Sequence, residues 1–209
     1  DVVMVKLSPM LDMASALNDL KHVRQVHVVA VNNECKELII LLKKPNEAEN
    51  CVDNEKTIVC EQAVNNSASQ HFSYTLSEEK NAVCTIADKV GTYLYEPGAA
   101  LLKAGPYKLL SARYGVGKLH PNSHLYTSAQ AVDFPGRCFR VIAVSGFGKK
   151  ELKDFMKGVE KANLTIRNFP SSVAELRKKL KLKEGGNLYL FATTLADGEK
   201  VLIKCEKMV

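Results

Sequence analysis

No run of about 18 consecutive apolar residues occurs in this 209-residue chain, which excludes a membrane-spanning helix. The opening residues, DVVMVKLSPM, lack the basic n-region and cleavage site of a secretory signal. Cys35, Cys51, Cys60, Cys84, Cys138 and Cys205 make no CxxC pair, and most stand inside strand-like runs. That spacing argues against a zinc site, and with 46% hydrophobic residues the chain has a core without a disulfide framework. A reducing, cytoplasmic setting is the expectation. Neither GxGxxG nor a GxxxxGK loop ending in Ser or Thr is present, so no complete phosphate cradle is encoded. GxSxG and HExxH are absent too. His120 and His124 stand four apart, but Pro121 and Asn122 between them deny the helix that would make them a metal pair. There is no internal repeat and no low-complexity tract. On spacing alone, nothing marks an enzyme.

What is present is uneven charge. Residues 1–70 carry 7 basic against 10 acidic side chains, residues 71–140 carry 8 against 5, and residues 141–209 carry 14 against 8. A basic end on a near-neutral body points to a polyanionic partner for that end. The basic residues concentrate in Leu164–Cys205. There LTIRNF alternates as a half-buried strand does, and Pro170 stops its ladder. Ser171 or Ser172 caps a helix, with Glu175 placed for a capping box if Ser172 is the cap. Val173, Leu176, Leu180 and Leu182 form its apolar stripe, and Gly185-Gly186 is expected to end it. NLYLFATTL and VLIKC then pair across Asp197-Gly198, a strong hairpin signal. Arg177, Lys178, Lys179, Lys181 and Lys183 crowd this helix and its exit, and Arg167 lies on the strand before it. Two readings stay open: a solvated helix face, or a nucleic-acid-binding face.

Upstream, RCFRVIAVSGF reads as a strand and Lys149–Lys161 as an amphipathic helix with Leu152, Phe155, Met156 and Val159 inward. Residues 137–209 are then β-α-β-α-β-β, a compact α+β module. At the other end, Val2–Leu7 reads as a near-continuous apolar strand of the kind buried on both faces of a parallel sheet. Asp12 or Ser15 starts a short helix through Leu20. VRQVHVVAV turns at Asn32-Asn33 into ECKELIILLKK. This order resembles the close of a doubly wound α/β sheet, where ligands bind beyond the carboxyl ends of the strands. Lys6, Ser8 and Asp12 fall there, although Ser8 and Asp12 suit a plain strand-to-helix loop equally. Pro45–Asp53 is a polar loop. KTIVCEQAV and HFSYTLS are strands around a Ser/Asn-rich turn, and Ala82–Val90 fits either a helix or a strand. Residues 93–128 open on YLYEP, with a turn at Pro97-Gly98, short helices at Ala99–Ala104 and Tyr107–Tyr114, and a loop-to-strand run from Leu119 to Ser128.

VMVKLSPMLD, VHVVAVNNECKELI, YLYEPGAALLKAGPYKLL, KLHPNSHLYTS, DFPGRCFRV and RNFPSSVAELRKKLKLKEGG together resemble the class I S-adenosylmethionine-dependent methyltransferases that carry a C-terminal THUMP-like domain. YLYEP and RNFPSSVAELRKKL are the most specific segments. The resemblance implies a Rossmann-like methyltransferase sheet entered at its fifth strand (1–91), a connecting segment (92–136) and a THUMP-like α+β domain (137–209). The family's glycine-rich donor loop, acidic ribose-binding residue and Asp-Pro type motif are missing. An opening strand that already reads as core fits that gap, and the expectation is that a first half precedes it. S-adenosylmethionine is then the cofactor of the whole protein, and this piece alone is expected to be inactive and to bind none. The resemblance implies RNA as partner, with phosphate contacts from Arg167, Arg177, Lys178, Lys179, Lys181 and Lys183. Lys6, Ser8 and Asp12 would border the acceptor side of the site. The alternatives are a non-catalytic protein-interaction module, or a methyltransferase with a protein or small-molecule acceptor. A sheet edge bared by such a cut would pair with another chain, which leaves the oligomeric state open.

Overall fold

The computed structural model describes residues 1–44, 55–63 and 69–208. The loop expected at Pro45–Asp53, Cys51 within it, and most of the following Ser/Asn-rich turn lie outside the described residues. The chain folds into two compact units, residues 1–83 with 97–109 and residues 84–96 with 110–209.

The first unit holds β1 (Val2–Leu7), α1 (Met13–Asp19), β2 (Val23–Val31), β3 (Glu34–Lys43), β4 (Thr57–Ala63), β5 (Gln70–Thr75) and α2 (Leu76–Asn81). Its sheet has the order β1-β3-β2-β4-β5. β3 runs antiparallel to both β1 and β2, β2 is parallel to β4, and β5 is antiparallel to β4. The β2–β3 hairpin forms where the sequence places it. Asn32 and Asn33 take φ of 50° and 62°, the left-handed pair that a tight two-residue hairpin needs and that asparagine tolerates. Val26, Val28, Ala30, Leu38, Ile40 and Ile58 are fully buried, and α3 (Ala99–Ala104) packs against β2, β3 and β4. The Tyr74 hydroxyl donates to the Ala104 carbonyl at 2.7 Å, so this buried phenol is satisfied.

Two expectations for this unit are corrected. β1 is not a doubly buried parallel strand. Among the described residues it is an edge strand paired antiparallel to β3, with Val2, Val3 and Met4 exposed by 64, 54 and 68%. An apolar run signals a strand but carries no information about how many neighbours it has. The strand read into HFSYTLS ends at Thr75, which caps α2 through a complete capping box with Glu78. Six residues are too few to register a helical period. Residues 82–90 have no helix, and Ile86 forms a single bridge to Lys118.

The second unit is built on β6 (Tyr93–Pro97, through Glu96), β7 (Gly117–Lys118), β8 (Tyr126–Ser128), β9 (Gly136–Ser145), α5 (Lys149–Phe155), β10 (Asn163–Arg167), α6 (Val173–Leu180), β11 (Leu188–Thr194) and β12 (Lys200–Lys207). Helix α4 (Tyr107–Tyr114) carries the unit boundary after Leu109. The sheet order is β10-β11-β12-β9-β6-β8-β7. Only β10 and β11 pair in parallel among the registers described. One core, with Phe155, Leu164, Leu176, Leu182 and Leu190, lies between the sheet and α5 and α6. A second, with Leu119, Leu125, Phe139, Phe191 and Ile203, holds the segment around residues 119–125 to the sheet. The Phe139 and Phe191 rings meet edge to face at 4.9 Å. Each such side chain contributes roughly 1.5–3 kcal/mol by leaving water. Gly91 lies so close to the Ser128 carbonyl that a Cβ would come within 2.5 Å of its oxygen, which reserves that position for glycine.

The β-α-β-α-β-β order read for residues 137–209 is the order observed. The helix ends differ. α6 stops at Leu180, not at Gly185-Gly186, because Lys181 adopts the left-handed φ of 55° and its N–H bonds back to the Arg177 and Lys178 carbonyls. The reversal drops Leu182 into the core at 6% exposure, and burial of that leucine offsets the strain of a non-glycine cap. α5 likewise closes at Phe155 rather than Lys161, with Gly158 at φ 75° in the turn after it.

Candidate functional site

Helix α6 begins where β10 cannot continue. Pro170 lacks an N–H, Ser172 accepts from the Glu175 N–H at 3.2 Å, and Glu175 accepts from the Ser172 N–H at 2.8 Å. Those hydrogen bonds hold the Glu175 carboxyl below the usual carboxylate range. The box fixes the helical register. Leu176 then points into the core, and Lys178 and Lys179, followed by Lys181 and Lys183 at the exit, are exposed. The Lys179 ammonium lies 5.6 Å from the centre of the Phe147 ring. Lys149, Lys150 and Lys153 of α5 are exposed on the neighbouring helix, which shares the same core.

The two arginines of the expected basic face behave differently. The Arg177 side chain is only 21% exposed and sits 3.8 Å from Glu184. Arg167 turns toward Glu96, which is 1% exposed. One Glu96 oxygen accepts from Arg167 Nε and an amino nitrogen at 3.0 and 2.7 Å. The other accepts from Arg137 Nε at 2.8 Å and from its amino group. A single carboxylate thus receives two guanidinium forks, the bidentate geometry that favours arginine over lysine. β10 and β6 are four strands apart in the sheet order, about 19 Å on a flat sheet. Their side chains meet, so the sheet coils, and the clamp closes the coil. Nothing in the one-dimensional pattern of YLYEP or LTIRNF announces this partnership.

Near the clamp, burial, then the Lys118 and Arg167 charges, pull His124 down to about 4 from its ordinary 6.5. The ring is neutral at physiological pH. Lys118 is 4% exposed and donates to the Pro121 carbonyl at 2.6 Å. Among the described residues, no group of three or more His, Cys, Asp or Glu is placed to hold a metal ion. Burial pushes the Cys60 and Cys205 thiols up to about 12, which removes them as nucleophiles.

In the first unit, Lys6, Ser8 and Asp12 follow one another out of the carboxyl end of β1. Lys6 Nζ pairs with Glu37 at 3.1 Å on the surface. Ser8 Oγ accepts from the Met10 N–H at 3.2 Å. Asp12 caps α1 by accepting from the Ser15 N–H at 2.8 Å, the bond that lowers its carboxyl's affinity for a proton. Each has local structural work to do. Lys103 joins them by donating to the Leu11 carbonyl at 2.5 Å.

Residues 136–207 match the protein-family model described as THUMP domain-like. Residues 93–135, for which the sequence pattern offers only a connecting segment, match one described as a ferredoxin-like domain. No curated protein matches the chain. Among solved structures, a putative methyltransferase from Porphyromonas gingivalis W83 is similar over 100% of this chain, with 38% sequence identity and a TM-score of 0.88. The chain spans 52% of that protein's length. The chain therefore carries a THUMP-like domain, and over its whole length it shares the fold of about half of a putative methyltransferase.

Proposed function

We propose that this chain is the C-terminal half of a class I S-adenosylmethionine-dependent methyltransferase that acts on RNA, and that its THUMP-like end holds the RNA. The carrying observation is the exposed set Lys178, Lys179, Lys181 and Lys183 on a capped helix of that domain and the turn that leaves it. None of the four makes an ion pair among the described residues. Such a face attracts a phosphate backbone without reading sequence. Arg167 and Arg177 offer less of their charge to it, since their guanidinium groups lie against Glu96 and Glu184.

The methyltransferase part of the reading is supported by the relative's fold and by the common direction of β1, β2 and β4. Their carboxyl ends lie on one side, the side of ligand sites in open α/β sheets. Ser8 and Asp12 shape the loop at the end of β1 and would position the methyl acceptor, with Lys6 beside them. The residues present do not fit the methyl donor, because the chain has no glycine-rich loop for it. The chain alone is expected to bind no S-adenosylmethionine and to transfer no methyl group, with calorimetric titration of the donor as the check.

The RNA reading is tested by titrating the chain with labelled single-stranded and duplex RNA across a salt series. Affinity should fall steeply with salt. Lys178→Glu with Lys179→Glu should weaken it and flatten the slope on single strands by about 0.7 for each phosphate no longer neutralised. Unchanged affinity and slope in the double variant would remove α6 as the binding face.

A further inference from the structure

β10, β11 and β9 all end, and β12 begins, at the same side of the second unit's sheet. A cavity of about 640 Å³ opens there, lined by His120, Asn168, Phe169, Thr194 and Lys200 among others. That volume falls within the range of small-molecule sites.

The wall of this cavity is braced. Asn168 follows β10 in the left-handed region, with φ 50°. Its carbonyl accepts from the Thr194 hydroxyl at 2.7 Å, and its side-chain amide lies 3.0 Å from His120 Nδ1. The same Nδ1 accepts from the Asn122 backbone N–H at 2.9 Å. A backbone N–H can only donate, so Nδ1 carries no hydrogen. The ring hydrogen is on Nε2, which remains a donor. Phe169 presents a half-buried ring supported from behind by Phe147, with centroids 4.9 Å apart. The Lys179 ammonium caps that aromatic pair. Lys200 is exposed at the rim and makes no ion pair among the described residues.

Arg167, between the lining residues Ile166 and Asn168, is held on Glu96, and the turn from Thr194 to Lys200 carries Asp197 and Glu199. An aromatic face, a fixed imidazole donor, an amide and an ammonium at the rim suit one chemical class: a nucleobase bearing a phosphate. We infer that this cavity is a subsite for one unpaired nucleotide of the RNA, its base against Phe169 and His120 and its phosphate at Lys200. The inference deepens the RNA reading above and rests on it. It adds a pocket for a single unstacked nucleotide to a helix face that only tracks backbone.

The experiment uses the whole chain with two probes, a short fluorescein-labelled oligoadenylate followed by anisotropy and free AMP followed by amide NMR shifts. The variants are Phe169→Leu, which keeps the packing on Phe147 but removes the ring, and Lys200→Glu. Lys207→Glu, at the far end of β12, is the charge-matched control. The expected result is a loss of about tenfold in oligoadenylate affinity for each pocket variant, little change for the control, and AMP-induced shifts confined to residues 120, 168–169, 194 and 200. Oligoadenylate binding that survives both pocket variants overturns the subsite and leaves the RNA reading standing. AMP shifts at these residues without any oligonucleotide binding keep the nucleotide pocket and overturn the RNA reading. The absence of both overturns both.

Discussion

The coiled-sheet clamp and the α6 face use the same kind of side chain in opposite ways. At the clamp, two arginines are drawn onto one buried carboxylate, and the reward is structural. On α6 and its exit four lysines remain outside, and their charge is available to a partner. The arginine fork matches a carboxylate and sheds water more readily, whereas the lysine ammonium is a compact, strongly hydrated charge on a flexible stem. Cationic residues close in sequence therefore serve different ends according to what lies behind each strand or helix. A basic patch counted from sequence overstates the charge offered to a ligand.

This contrast can be broken most sharply at its acidic centre. Glu96→Ala leaves two guanidinium groups without their counter-charge and should cost about 3–5 kcal/mol in urea unfolding, the range for removing one partner of a buried ion pair. A loss below about 1 kcal/mol would mean that the coil closes without the clamp. Next comes the helix start. Ser172→Ala removes the cap and should cost about 1 kcal/mol, whereas Ser171→Ala, which removes only the hydroxyl's 3.1 Å bond to the Glu175 carboxylate, should cost less.

The neighbourhood of the clamp predicts an acid response. The folded-state pKa of His124, about 4, lies below its ordinary 6.5, so the unfolded chain binds the proton more readily. The stability associated with the neutral ring is fully present above about pH 6.5 and is lost as pH falls toward 4. His124→Asn, a residue that tolerates the same left-handed backbone, should flatten the urea midpoint across that window. An unchanged acid slope would mean that other groups carry it. The smallest stability effect belongs to the opposite region. Lys178→Glu with Lys179→Glu should change the unfolding free energy by no more than about 0.5 kcal/mol, yet it should produce the largest change in RNA affinity of any change on α6. A large stability loss there would show that the lysines are structural after all.

The sequence alone determined the local events. The Asn32-Asn33 hairpin, the Ser172–Glu175 capping box, the paired helices at Ala99–Ala104 and Tyr107–Tyr114, and the β-α-β-α-β-β order all follow from interactions within a few residues. Backbone preference and side-chain reach settle such interactions. The same locality explains where the pattern misleads. Gly185-Gly186 signals the end of α6, yet a buried Leu182 makes a left-handed Lys181 acceptable four residues earlier. The apolar run of β1 signals burial, yet it does not reveal that one of the strand's sides has no neighbour among the described residues.

Only the tertiary structure decided which charges are spent and which are free. Glu96 and Arg167 lie 71 positions apart, and His120 and Asn168 lie 48 apart. No periodicity links such pairs. They meet because the sheet coils, and the coil is a property of seven strands packed together, not of any one of them. The candidate helix face was legible in advance because helix α6 displays its own charges, and the cavity was not, because three separate strand ends and a loop have to converge before it exists.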